Sequence, residues 1–321
     1  MRDLLIGVDI GGTKINAALV QPGGGALSWE RCSTRAAYEH GSLLEGVVAV
    51  IRRLVARVPN GQRVGAIGVA TGGVVDTSTG VVVAANGLLP GWKGVNVGEE
   101  IGRRFGAVAV VENDVNAFAV GEQRYGRAQG ASIALFVTVG TGIGGALTVK
   151  GELVRGAHGA AGELGHVSVP GAGERVCNCG AHGHLEAVAS GPAMAERYAS
   201  LAEDQTVVGF EDVVARGLAG EEAAVSVIAE GAAALGLCLS SLVTVFDPAC
   251  LVLGGGVVLG AGDLLWAPLL RRIRRMLPPG RPMPEVLRSQ LADRAAVLGV
   301  VALAQARAAD GPDRRPAGSR P

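Results

Sequence analysis

Apolar positions along the chain follow two periods, and the switches between them outline the elements. Leu4 to Val20 reads LLIGVDIGGTKINAALV: an apolar run, a turn carrying Asp9, Gly11, Gly12, Thr13 and Lys14, then a second apolar run. That pattern predicts two strands joined by a tight glycine turn. After a turn at Pro22 to Gly25, Ala26 to Thr34 alternates as a third strand. From Ser42 to Val58 the period changes. Leu44, Val47, Val48, Ile51, Leu54, Val55 and Val58 recur at three- and four-residue steps with Arg52, Arg53 and Arg57 opposite them, which predicts a helix stopped by Pro59-Asn60-Gly61. Val64 to Ala70 reads as a buried strand delivering Thr71-Gly72-Gly73 to a loop. A helix around Val97 to Phe105, a strand at Ala107 to Val111 ending in Glu112-Asn113-Asp114, and a helix from Val115 to Tyr125 complete the first part.

The opening pattern then returns. VDIGGTKINAALV at Val8 to Val20 is echoed by VTVGTGIGGALTV at Val137 to Val149, again strand, glycine turn, strand. Two copies of one hairpin suggest two similar domains facing each other across a cleft. The second would hold a loop-rich insertion from Gly151 to Gly183, helices near Leu185 to Leu201 and Glu221 to Phe246, and a strand at Cys250 to Leu253 running into Gly254-Gly255-Gly256. The expected division is residues 1–116 and 117–292, with an Ala-rich helix at about 293–308 packing on the first domain and a disordered tail over 309–321.

The first turn gathers backbone N–H groups, a hydroxyl and an ammonium around one point beside a carboxylate, the inventory needed to hold a phosphate and its metal ion. A plain Gly-Gly hairpin would need neither the acid nor the Thr-Lys pair. Composition narrows the partner: 29 Lys and Arg against 29 Asp and Glu leave the 321-residue chain formally neutral. No basic footprint favours nucleic acid or a membrane, so a small molecule is expected. Asp9 interrupts the first apolar run, which argues against a secretory leader. Gly231 to Phe246, an uncharged stretch, is shorter than a bilayer span. Five cysteines, three of them scattered (Cys32, Cys238, Cys250), fit a reducing compartment, and a cytoplasmic protein is expected.

Four separated motifs resemble, in order, those of the family of bacterial repressors, open-reading-frame proteins and sugar kinases called ROK. They are Asp9 to Lys14; Glu112-Asn113-Asp114 with Asn116; Thr138 to Gly145; and Gly162-Glu163-Leu164-Gly165-His166 followed by a Cys-x-Cys-Gly loop and Glu186. The resemblance covers nearly the whole chain. It implies an α/β chain with the actin-like ATPase (ribonuclease H-like) fold and an ATP-dependent kinase acting on the 6-hydroxyl of a hexose or N-acetylhexosamine. Asp114 would be the catalytic base, Asp9 would organise Mg²⁺, and Gly11, Gly12, Thr13, Lys14, Gly140, Thr141 and Gly142 would hold the ATP phosphates. Gly254, Gly255 and Gly256 would lie near the adenosine, although the run fits a strand-to-helix turn equally well. Asn113, Asp114, Glu163, His166 and Glu186 would bind the sugar hydroxyls, with Gly72 and Asn86 lining the same pocket.

The resemblance also implies a structural Zn²⁺ held by His166, Cys177, Cys179 and His184, with His184 standing where the family has a third cysteine. Zinc accepts imidazole as readily as thiolate. His182 is the competing ligand. Repressors of the family carry a DNA-reading domain ahead of the phosphate turn, and here that turn begins within the first ten residues; an enzyme is expected, as a homodimer or homotetramer. Thr71-Gly72-Gly73 looks more like the loop of N-acetylmannosamine kinases than the Pro-Gly of glucokinases. N-acetylmannosamine is therefore the expected sugar, with glucose or N-acetylglucosamine next.

Overall fold

The computed structural model describes residues 3–85, 87–203 and 206–310. The chain divides into two compact units, one made of Met1–Gln129, Gly156–Ala160 and Asp293–Pro321, the other of Gly130–Arg155 and Ala161–Ala292.

In the first unit, strands β1 (Leu4–Ile10), β2 (Lys14–Val20) and β3 (Ala26–Ser33) lead into helices α1 (Thr34–Tyr38) and α2 (Leu43–Val55). There follow β4 (Val64–Thr71), β5 (Val74–Asp76), β6 (Val81–Ala84), α3 (Val97–Phe105), β7 (Val108–Asn113) and α4 (Asp114–Tyr125). The main sheet runs β3-β2-β1-β4-β7. Strand β1 pairs antiparallel with β2 and parallel with β4, which pairs parallel with β7. One sheet face presents Ile6, Val8 and Ile10 to Val47, Val48, Ile51 and Leu54 of α2, all buried in one cluster. Ser42 starts that helix by accepting a hydrogen bond from Glu45 N.

The second unit repeats the scheme with β8 (Ile133–Val139), β9 (Ile143–Val149) and β10 (Glu152–Leu153), then α5 (Glu186–Ala189), α6 (Gly191–Ala202), α7 (Phe210–Leu218) and α8 (Glu222–Phe246). Strand β11 (Cys250–Gly254), α9 (Gly256–Gly260), α10 (Asp263–Met276) and β12 (Glu285–Arg288) complete it. Its sheet runs β10-β9-β8-β11-β12, and β8, β11 and β12 are mutually parallel in that order. Each unit is thus an antiparallel hairpin with a further antiparallel strand on one side and two parallel strands on the other. The hairpin echo in the sequence reflects a duplicated sheet.

The chain then returns to the first unit as α11 (Ala295–Ala309). Gly7 and Gly68 are register partners, and a Cβ on Gly7 would stand 2.6 Å from Val297 O while one on Gly68 would collide with Val300 O. Bare backbone at both positions lets α11 lie directly on the sheet. Gly299 and Gly121 do the same where α11 meets α4. This packing corrects the expected boundary: a division at 116/117 would cut α4, whose buried side belongs with α11, and the chain changes unit after Gln129 instead.

Other expectations shift locally. The helix expected over Leu185 to Leu201 is two, because Ser190 breaks it and caps α6 by accepting from Ala193 N, with Pro192 in the first turn. Helix α8 is 25 residues long, and by length and hydropathy it is sufficient to cross a membrane, which the shorter Gly231 to Phe246 stretch was not. Its buried side, with Val227, Ile228, Leu235, Leu239 and Val243, belongs to the core of the second unit. Residues 311–321 of the expected tail lie outside the described residues, and Ala309 ends α11.

Candidate active site

In the first unit the turn between β1 and β2 closes with Gly11 N donating to Lys14 O at 2.9 Å. It is pinned from outside by Thr34, whose Oγ1 donates to Gly11 O at 2.6 Å and whose N donates to Thr13 O at 3.0 Å. The turn's shape is therefore set before any ligand arrives. Strand register builds the rest: Arg31, Asn16, Asp9, Ala70 and Glu112 are successive partners across β3, β2, β1, β4 and β7. Asp9 lies in the middle of that row. Enclosure of its carboxyl, then the neighbouring Asp114 carboxylate and, more weakly, Asp293 push it up to about 7, against the opposing pull of Asn16 and Lys14. A site that holds this carboxylate against its preference suits a cation.

The acid at the start of α4 follows the residue that caps the helix. Asn113 Oδ1 accepts from Val115 N at 2.9 Å and Asn116 N at 3.0 Å, while its Nδ2 donates to Gly73 O at 3.0 Å. Asn113 is the N-cap, and Asp114 is the first helical residue, with Oδ1 accepting from Val115 N at 2.9 Å. Glu112, buried, accepts from Asn113 N and Asn116 Nδ2, each at 3.0 Å, and locks the pair. Beside them, a Cβ on Gly72 would make ordinary contacts, among the described residues, with Asp114 Oδ2 at 3.9 Å and Leu89 Cδ1 at 4.0 Å. Asn86 lies outside the described residues.

In the second unit the turn between β8 and β9 closes with Gly140 N donating to Gly142 O at 2.9 Å. Gly254 ends β11, Gly255 adopts φ +89° and Gly256 begins α9, so the three glycines form a strand-to-helix turn. The two glycine turns are neighbours, since a Cβ on Gly140 would lie 4.0 Å from Gly256 N. Glu186 fastens the first of them: Oε2 accepts from Ile143 N at 2.8 Å, in the space that Gly142 leaves free.

Glu186 also borders the Cys/His group. The candidate ligand atoms of His166, Cys177, Cys179 and His184 all lie within 4.8 Å of one another. Cys177 Sγ is 3.6 Å from His166 Nδ1, and Cys179 Sγ is 3.3 Å from His184 Nδ1. Two sulfurs and two imidazole nitrogens at these spacings fit a tetrahedral zinc ion. Burial pushes the Cys177 thiol up to about 11, so a cation is needed to hold it as thiolate. His182 stands apart, its Nδ1 at 3.0 Å from Glu174 O. The other ring nitrogen of His166, Nε2, is 3.6 Å from Glu163 Oε2.

Asn16, Thr34 and Asp293 were not anticipated, and Glu112 entered only as part of the Glu112-Asn113-Asp114 motif. The first was available from the hairpin itself, since pairing Ile10 with Ile15 across the turn sets Asn16 opposite Asp9. Asp293 Oδ2 accepts from Lys14 Nζ at 2.6 Å, a contact 279 residues apart that no local pattern announces.

Two units with the same sheet order, each opening on a strand, a glycine turn and a strand, define a protein of the actin-like, ribonuclease H-like ATPase fold. More narrowly, the chain belongs to the ROK family, whose model matches residues 5–307. A glucokinase of Streptomyces coelicolor is 32% identical over 320 residues, which span 94% of this chain and 98% of that protein. Among solved structures, the ROK family glucokinase of Streptomyces griseus in complex with glucose and AMPPNP is 33% identical, covers 94% of this chain and 99% of that one, and has a TM-score of 0.80. The ROK hexokinase of Thermus thermophilus is 34% identical, covering 96% of this chain and 100% of that one, also at 0.80.

Proposed function

We propose that this chain is a sugar kinase that transfers the γ-phosphoryl group of ATP to the 6-hydroxyl of a hexose, with Asp114 as the base. The observation that carries the reading is the placement of Asp114 as the first residue of α4, directly after an N-cap, Asn113, that accepts from Val115 N and Asn116 N, and beside Asp9. Asp114 would accept the proton of the 6-hydroxyl as its oxygen attacks phosphorus in line. Gly11, Gly12, Thr13 and Lys14 of one unit and Gly140, Thr141 and Gly142 of the other offer the amides, hydroxyl and ammonium that phosphates need. Asp9 would organise magnesium, which when bound neutralises charge on the transferring group. Asn113, Glu163, His166 and Glu186 supply the polar partners by which a sugar is selected.

Glucose is the sugar we assign. Support comes from relatives above 30% identity that are named glucokinase and from the glucose complex of the Streptomyces griseus protein. N-acetylmannosamine remains the second reading, favoured by the Thr71-Gly72-Gly73 loop sequence. Zinc at His166, Cys177, Cys179 and His184 would brace the loop that carries His166 toward the sugar. Sugar-dependent ADP release across glucose, N-acetylglucosamine and N-acetylmannosamine tests the reading. Turnover fastest with glucose supports it, fastest with N-acetylmannosamine selects the second reading, and no sugar dependence overturns both.

A further inference from the structure

Lys14 is the one cation among the residues proposed to meet the ATP phosphates, and it is already engaged. Its ammonium donates to Asp293 Oδ2 at 2.6 Å, while the same oxygen stands 3.7 Å from Arg31. Asp293 belongs to the short turn that precedes α11, one helical turn before the Val297 that lies against Gly7. It is thereby brought to the Asp9 end of β1, and three carboxylates, Asp9, Asp114 and Asp293, share one neighbourhood with Lys14.

Resting on the kinase reading, we propose that Asp293 is a stand-in for phosphate on Lys14: a carboxylate that incoming nucleotide displaces, so that it sets nucleotide affinity without touching the reacting atoms. Three observations favour exchange over a permanent tie. The pair is exposed, with side-chain accessibilities of 36% and 52%, and such pairs contribute little to stability. A phosphate brings more charge and more acceptor oxygens to an ammonium, which binds as a point charge without a fixed geometry. The displaced carboxylate has somewhere to go. Arg31 is its second cation, and a cavity of about 240 Å³ bounded by Asn16, Trp29, Glu30, Arg31, Asp293 and Arg294 adjoins it, the Glu30 charge there being paired with Arg53 and Arg57.

The exchange separates Asp293 from a residue that merely orients Lys14. An orienting carboxylate would weaken nucleotide binding when lost, whereas a competing one strengthens it. Glutamate in its place keeps the charge and should compete as well.

The test is titration calorimetry of MgADP, without sugar, on the full chain. Asp293→Asn and Asp293→Ser should each tighten binding about 3- to 10-fold, and Asp293→Glu should stay within twofold of the unaltered protein. In a Lys14→Met background the Asp293→Asn effect should shrink below twofold, because the displaced contact no longer exists. Thermal unfolding without nucleotide checks that each variant is folded. Binding unchanged in both Asp293→Asn and Asp293→Ser overturns the inference, and weakened binding overturns it in favour of an orienting role. The kinase reading is judged separately: if the unaltered protein binds MgADP but releases no ADP with any hexose, that reading fails while the affinity series still decides the part played by Asp293.

Discussion

Asp9 keeps its proton in the folded protein up to about pH 7, while the same carboxyl in an unfolded chain loses it near 3.8. Between those values the folded state binds more protons than the unfolded one, so this residue makes stability fall as pH rises from about 4 to about 7. A shift of that size corresponds to at most about 4 kcal/mol. In metal-free buffer Asp9→Asn should therefore melt well above the unaltered protein at pH 8 and close to it at pH 4. Equal gaps at both pH values would remove Asp9 as the source. Asp114 yields the complementary prediction. Asp114→Asn should lower kcat by roughly 10²- to 10⁴-fold while sugar affinity stays within a few-fold, because an amide keeps the geometry but takes no proton. Near-normal turnover would sink the assignment.

At the scale of elements, the strands and helices with a strong period were legible and the pieces without one were not. The first hairpin, α3 and α8 follow from their patterns, and the glycine turns announce themselves. Helices α7 and α10 escaped: the first is a short segment after Gly209, and the second carries Pro268 in its interior. The Cys/His loop was legible through its residue types, and the resemblance already ranked His184 ahead of His182; in the structure the loop groups His184 with His166, Cys177 and Cys179. Its metal content is directly measurable. Purified protein should carry about one zinc per chain, a closed four-ligand site being tight. Cys177→Ser should lose it and His184→Cys should keep it. His182→Ala should change nothing, and zinc lost from that variant but retained by His184→Ala would reverse the ligand assignment.

For the molecule as a whole, the repeat seen in two short sequence stretches extends to a shared sheet order, but the ties that complete each candidate half-site are long-range. Lys14 with Asp293 and Ile143 with Glu186 join residues that no local pattern links. If both glycine turns serve one nucleotide, an ATP analogue should slow amide hydrogen exchange at residues 11–14 of one unit and at 140–142 and 254–256 of the other. Protection confined to a single unit would mean that the duplicated hairpins do not share a ligand.

The return of the chain to its first unit has a bearing on how it is made. Residues 130–155 and 161–292 contain the whole second unit, so a growing chain can finish it while the first still lacks α11. Until α11 is synthesised, the sheet face that presents Gly7 and Gly68, and the buried side of α4, have no cover. A released chain ending near residue 292 would therefore hold one complete unit and one open apolar face, a natural handle for a chaperone. Chains truncated there should aggregate even though most of the protein has already been built.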